Sequence, residues 1–548
     1  MKEPYTTPRQ QMFTIILVLG LAVGTSTAHG QWVPPIGIPA PTFGISEVAP
    51  DEPSPWNGDV PGFYYVQEGG TNPANGYPGN PRGRIPSTLA AGSVIILAGT
   101  YNGNHEDNII RANGTATQPV YIRGACCADK PTITQKWVVQ GSYYIIENVN
   151  AKWANSSGNG KLVFEGHHGV VRHMDLEGDT DQGVGALVPV GSNHVIWDNF
   201  LHDFGDVKAT FDQDNHCIPV GEDTDHLWIV DNEIARCSGD GVQLNAGNAA
   251  RQSTLHHIYV GRNVLHHHKQ TGLWTKQAVD VIFSQNTIYG CRPSNSSSGA
   301  CMGAQYAPEN VWMIYNRIYD GESGIRVEGD SGLGTGSSIY VVGNVIYDIT
   351  DSPGNADPNN AHASGAIVFR GLRNHYVVNN TLWNYQAGIM SPGDGFLQIE
   401  NTILGARNNP SGRDIYIESA TTANNSVVRN SVFDPAAVRI QWGSGAVYGS
   451  LNEFSGATGK GQGSIQANPR FVDIANKDFR LTPSSSAVNT GLTHSVYNIF
   501  QQRYGIDISK DVNGTSRPQG GAFDIGAYEF VSTTALQPPA APSNLVAR

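Results

Sequence analysis

The sequence predicts an all-β fold, a single-stranded parallel β-helix in which the chain winds as a solenoid. Three observations predict it. The first is composition. Charged residues make up 15% of 548 and glycine supplies 64, so the chain is poor in helix formers and rich in turn and strand formers. The second is a recurring asparagine that closes a short β-prone run and is followed, two residues on, by an aliphatic side chain. It recurs at Asn199, Asn232, Asn263, Asn286, Asn316, Asn344, Asn380, Asn401 and Asn430, as in "NTIYG", "NRIYD" and "NVIYD". The third is the step between copies, which ranges from 21 residues (Asn380 to Asn401) to 36 (Asn344 to Asn380). No period of 3.6 runs through them, which excludes a helical solenoid, and a propeller repeats nearer forty residues. Stacked coils place equivalent residues about 4.8 Å apart. Asparagine suits the corner of such a coil, because it tolerates left-handed backbone and its amides stack.

In chain order, residues 1–30 read as a signal peptide. Lys2 and Arg9 precede the apolar run "MFTIILVLGLAVG" and the small residues of "STAHG", with cleavage after Ala28 or Gly30. The protein is therefore expected to be secreted, extracellular or periplasmic, with no membrane span after cleavage. Residues 31–63 are a Pro-rich lead-in expected to cap one end of the solenoid, since an open end invites edge pairing. Residues 64–530 form the β-helix, about ten coils or more with almost no helix. Residues 531–548 ("VSTTALQPPAAPSNLVAR") are a linker that looks like the start of a fibronectin type III domain.

The segments "ANPRFVD…DFRLTPSSSAVNTG" and "DVNGTSRPQGGAFDIGAYEF" resemble the C-terminal signature of secreted bacterial right-handed parallel β-helix proteins of the pectate-lyase-like superfamily. "YYVQEGG…IPSTLAAGSVIILAGTYNG" is similar to the first coil of that family. The resemblance implies a right-handed β-helix over about 64–530 and a spread of activities that includes pectate and alginate lyases, glycoside hydrolases and epimerases.

The net charge of −13 (34 basic against 47 acidic residues) argues against nucleic acid and anionic membranes as partners. A polysaccharide is the expected partner, met by a monomer. The strand after each corner loop aligns as "DGVQLN", "TGLWTK", "CMGAQY", "SGIRVE" and "GAIVFR". Period 2 then points one row outward: Asn245, Lys276, Tyr306, Glu328 and Arg370, with Gln243, Trp274 and Arg326 two residues earlier. Trp274 offers a face for a sugar ring, with Gln243, Asn245 and His216 as further substrate contacts. β-Elimination beside a uronate carboxylate needs a base and a cation to take up the developing charge. Lys276 is the expected base, Tyr306 the acid or co-catalyst, and Arg326 or Arg370 the partner of the carboxylate. Glu328 orients the lysine, or acts as the acid if the enzyme hydrolyses. A lyase is thus the first reading, with a glycoside hydrolase using paired carboxylates and a non-catalytic glycan-binding or structural solenoid as alternatives.

The acidic run from Asp206 to Asp225, followed by Asp240, suits calcium, with Asp214, Asp223 and Asp240 as ligands. The histidines of "EGHHG" (His167, His168) and "LHHHK" (His266 to His268) are further candidate metal ligands. Of six cysteines, Cys291 and Cys301 bracket the loop "RPSNSSSGA" and are expected to form a disulfide. Vicinal Cys126 and Cys127 lack metal-ligand spacing.

Overall fold

The computed structural model describes residues 32–101, 109–125, 130–153, 161–180, 186–328, 338–349, 365–371, 374–393, 395–436 and 438–532. The signal peptide, Cys126, Cys127 and residues 533–548 of the linker lie outside them. The strands fall into three sheets of 16, 14 and 10 strands, and nearly every strand pairs in parallel with its counterpart on the next coil. The result is a parallel β-solenoid of about 12 turns. The first sheet runs from Phe63–Gln67 to Val427–Arg429 and the second from Thr100–Tyr101 to Ile465–Gln466. The third runs from Ile218–Val220 to Val447–Tyr448.

Inward side chains of all three sheets fill the bore. In the second sheet one column reads Leu201, Ile234, Leu265, Ile288, Ile318, Ile346, Leu382 and Leu404, each paired in register with the next. All are at most 1% exposed. These are the aliphatic residues that follow each asparagine, with one shift noted below.

The asparagines form one continuous ladder. Asn199, Asn232, Asn263, Asn286, Asn316 and Asn344 each donate an amide Nδ2–H to the Oδ1 of the next, through to Asn380, at 2.9–3.0 Å. The same Oδ1 accepts the preceding asparagine's backbone N–H. The second amide hydrogen goes to a strand carbonyl, for example Ile229 O from Asn263. The amide of each ladder asparagine is thereby satisfied at both its nitrogen and its oxygen.

Two features differ from the sequence reading. The left-handed residue of the corner is the one before the ladder asparagine: Asp198, Asp231, Arg262, Gln285 and Tyr315 have φ between 52° and 58°. And Asn401 and Asn430 occupy this preceding position (φ 50° and 44°), not the ladder. Register pairs Thr381 with Ile403 and Ile403 with Val432, so Thr402 and Ser431 continue the ladder. The Thr402 N–H donates to Ser431 Oγ, and the Ser431 N–H to Ser464 Oγ.

The cysteine pairing also differs. Cys217 and Cys237 form a buried disulfide, while Cys291 and Cys301 are buried thiols in side-chain contact. Burial, then the neighbouring Cys301, raises the Cys291 thiol well above its usual range. The loop between them is held from outside instead: Asp212 accepts hydrogen bonds from Ser294 and Ser296.

The first edge is covered by the loop after the first strand, in which the Arg82 N–H donates to Tyr65 O and Arg82 O accepts from Gln67. The Pro-rich lead-in, expected to cap one end, instead runs from Ile36 to Glu47 lengthwise on the outer face of the first sheet. Ser284 Oγ donates to Ile36 O (2.6 Å), Trp228 Nε1 to Pro39 O (2.7 Å) and Arg172 to Glu47 O (2.7 Å). At the far end helix α1 (Ala420–Asn425) and helix α2 (Leu451–Thr458) close the bore, Phe454 of α2 packing edge-on to Trp442. The solenoid ends at Gln466 rather than near 530. Residues 467–530 are an extension running back along the outside, through the antiparallel pair Phe471–Asp473 and Asp478–Leu481 and helix α3 (Ser495–Tyr504). Phe471 and Phe479 cover Trp383 and Tyr347 of the second sheet, and Phe500 of α3 meets Trp312 of the first at 4.8 Å.

Asn263→Ala removes a rung that serves both neighbours: the buried Asn232 N–H loses its acceptor and Asn286 Oδ1 loses one of its two donors. It is expected to lower stability by about 3 kcal/mol or more, read as a fall in the urea midpoint. A change below about 1 kcal/mol would show that the ladder contributes little.

Candidate functional site

The third sheet sets the geometry. Val242, Leu273, Met302, Ile325 and Ile367 form one inward column, and Leu244, Thr275, Ala304, Val327 and Phe369 another. Between them the outward column reads Gln243, Trp274, Gly303, Arg326 and Val368. One step after the strands, backbone bonds align Asn245, Lys276, Gln305, Glu328 and Arg370. The outward row expected from period 2 is therefore present, with one correction: Gln305, not Tyr306, is in register with Lys276. Tyr306 follows it at φ 62° and is 39% exposed.

These residues open onto a cleft of about 690 Å³ lined by Trp274, Lys276, Gln305, Tyr306, Arg326 and Glu328 at one end. Asp214, Asp240, Gln243, Gln270, Thr271 and the serines of the 294–298 loop line the remainder. Asn245 lies outside the lining, its Oδ1 accepting from the Gly247 N–H at 2.9 Å. Arg370 also lies outside it, one coil beyond Glu328.

Trp274 is only 8% exposed, and its indole lies across Gly303, where any Cβ would run into the ring and into Arg326 O. Its Nε1–H points at Gln305 Oε1 (3.4 Å). Arg326, 8% exposed, donates to Glu328, so the carboxylate expected to orient Lys276 holds the arginine instead. Lys276 Nζ has no hydrogen bond or ion pair among the described residues. The buried Nε of Arg370 has no hydrogen-bond partner among them, and burial, then the like charge of Arg326, lowers its pKa.

At the other end Asp240 is buried, and both its oxygens are occupied. Oδ1 accepts the hydroxyl and the N–H of Thr271, and Oδ2 accepts Gln243 Nε2 at 2.8 Å. The Asp240 N–H donates to His216 Nδ1 (2.8 Å), which puts the proton of neutral His216 on Nε2, 3.6 Å from Asp214 Oδ1. Gln270 Nε2 donates to both Asp212 (2.9 Å) and Asp214 (3.0 Å). Burial raises the Asp212 carboxyl, but hydrogen bonds from Ser296, Gln270 and Ser294 outweigh it and hold the group below its usual range.

Asp214, Asp223 and Asp240 do not surround one point. Asp223 is paired with Arg251 (2.6 Å) and Asp240 has no free oxygen, so the three do not fit a calcium cage, which takes six to eight oxygens. The expected histidine sites also separate. His268 is in the core, pushed by burial down to about 3, and His266 stacks on Tyr289 outside it. His167 and His168 contact each other through Nδ1 at 3.0 Å.

Gln270, Thr271, Gln305 and the serine loop were not anticipated from sequence. Gln305 and Thr271 flank residues that were aligned, and only the register separates them. The serine loop meets Asp212 across more than eighty residues (Asp212 to Ser296), a contact that no local pattern signals.

No helix among the described residues is long and apolar enough to cross a membrane. The family model for the right handed beta helix region matches residues 217–402, the coils that carry the cleft. No curated protein sequence matches the chain. Among solved structures, the complex of XylC with xylose is 10% identical, covering 85% of this chain and 98% of that one (TM-score 0.46). The PL6 family alginate lyase AlyGC is 12% identical, covering 82% and 60% (TM-score 0.39). An alginate lyase from Paenibacillus sp. str. FPU-7 is 17% identical, covering 58% and 99% (TM-score 0.28).

Gly303→Ala is expected to displace Trp274 and to lower stability by about 1–3 kcal/mol, seen as a lower melting temperature with shifted tryptophan emission. Asn245→Ala, outside the cleft, should change neither. An unshifted spectrum for Gly303→Ala would show that the indole does not rest there. The coil register and the three sheets, with the match of residues 217–402 to the right handed beta helix region, give the chain the fold of a right-handed parallel β-helix.

Proposed function

We propose that the protein is a secreted carbohydrate-active enzyme that cleaves a uronic-acid-containing polysaccharide by β-elimination. The observation that carries this reading is the Lys276 Nζ, without a hydrogen bond or ion pair among the described residues, in a cleft shared with the buried Arg326. A chain laid across the coils meets one strand about every 4.8 Å. Tyr306, 39% exposed, and the rim of the Trp274 indole supply aromatic surface for sugar rings, and Arg326, with Arg370 one coil beyond Glu328, the charge for a uronate carboxylate. Lys276, as the free amine, takes the proton on the carbon beside that carboxylate. The electrons of the broken C–H bond form the new double bond, and the glycosidic oxygen leaves with a proton from Tyr306. Arg326, fixed by Glu328, stabilises the charge that builds on the carboxylate in between.

Hydrolysis is less favoured because it needs two carboxylates with free oxygens. Those of Asp240 are occupied by Thr271 and Gln243, and Glu328 is engaged by Arg326.

The test is a screen over pectate, alginate, glycosaminoglycans and neutral glycans that records both ultraviolet absorbance and reducing ends. Elimination gives both. Reducing ends without absorbance would replace the lyase by a hydrolase, and neither signal would indicate a binding module. On the active polymer, Lys276→Ala is expected to lose at least about a hundredfold in turnover with an unchanged melting temperature. A folded variant with near-normal turnover would remove Lys276 from the chemistry.

A further inference from the structure

A second cluster lies on the first sheet, outside the cleft. Strands Thr224–Val230 and Leu255–Gly261 pair Asp225 with His256, and Leu227 with Ile258, so His226 and His257 are equivalent between them. His226 and His257 both adopt left-handed backbone (φ 48° and 55°) and stack ring on ring at 4.6 Å. The shared bend turns consecutive side chains of both coils to the same outer surface.

One ligating atom each from Asp225, His226 and His256 lies within 4.8 Å of the other two. Among the described residues no other group of three does so. Among the described residues the ion-pair partner of Asp225 is His226, whose Nδ1 stands 2.5 Å from Asp225 Oδ1. Asp280, whose charge also acts on His257, is spent on Arg503 (2.6 and 2.9 Å) and on the Tyr504 hydroxyl. His257 holds the His256 ring through an Nδ1–Nδ1 contact of 2.8 Å.

We propose that Asp225, His226 and His256 bind a divalent transition-metal ion of the imidazole-preferring class, with zinc as the representative. Two imidazoles and a carboxylate form a donor set that suits zinc and not calcium. Tetrahedral zinc holds its donors about 3.4 Å apart, so donors that stand within 4.8 Å of one another close by at most about 1.4 Å. Asp225 and His226 are 31% and 40% exposed and have the freedom to do so. Three protein donors leave further positions for water or an incoming ligand. The site is independent of the cleft and of the reaction assigned to it.

Zinc is titrated by calorimetry into the untagged, chelator-treated full chain, with calcium as a control. One equivalent of zinc should bind, with no heat from calcium at the same concentrations, and zinc should raise the melting temperature. Asp225→Asn, which keeps the side-chain shape, and His256→Ala should each weaken binding at least about tenfold. His168→Ala, in the other outward histidine pair of this sheet, should bind as the parent does. The proposal is overturned if the folded parent takes up no stoichiometric zinc, or if both cluster variants bind it unchanged. Equal loss in His168→Ala would place the ion elsewhere and overturn it too.

Discussion

The register between coils is the constraint on which the rest of the molecule depends, and the asparagine amide ladder is what holds it. Seven amides, Asn199 to Asn380, are locked by side-chain and backbone bonds at once. A slip of one residue in any coil would break two rungs and leave buried donors without acceptors, a cost of several kcal/mol. It would also turn that coil's aliphatic residues out of the bore. Ladder and apolar column therefore select the same register, and each reinforces the other. Loop length is left free, which is why steps of 23 and 36 residues coexist in one solenoid.

The fold was legible because both signals are written into every coil as the same short phrase. Reading failed where a different residue can do the same job. Thr402 and Ser431 replace asparagine, since one hydroxyl can accept the neighbouring N–H and donate to a carbonyl. Asn401 and Asn430 beside them then imitate the rung while occupying the left-handed corner. Tyr306 was misplaced for a related reason. Cys301 begins the "CMGAQY" alignment but pairs in register with Gly272, one place later than its sequence phase suggests. The cysteines were misread because Cys291 and Cys301 are close in sequence, whereas the disulfide joins Cys217 and Cys237 across a turn of the coil.

The site was legible in kind and less so in arrangement. Period 2 put Lys276, Trp274, Arg326 and Glu328 on one face, and the structure gathers them in one cleft. It could not say that Glu328 belongs to Arg326, because that choice depends on side-chain reach over two residues of one strand. Nor could it separate a working carboxylate from a structural one. Asp240 and Asp223 look alike in an acidic run, yet one is saturated by Thr271 and Gln243 and the other is paired with Arg251.

The three faces of the solenoid are treated differently, and this bears on where chemistry can occur. Outward aromatics of the first sheet, Trp228, Tyr259 and Trp312, lie under the lead-in or helix α3. Those of the second, Tyr347 and Trp383, lie under the C-terminal extension. On the third sheet the cleft-bearing coils put Gln243, Trp274, Gly303 and Arg326 in the corresponding column, and the segments beside it, 206–216 and 291–299, bind each other as walls and leave the floor open. Covering a sheet face with a strap stabilises it by removing apolar surface from water, at about 25 cal/mol per Å². A face of Gln243, Lys276, Arg326 and Glu328 would gain little from such cover and would lose hydration. The distribution of outward side chains thus decides both which faces are sealed and which one remains open.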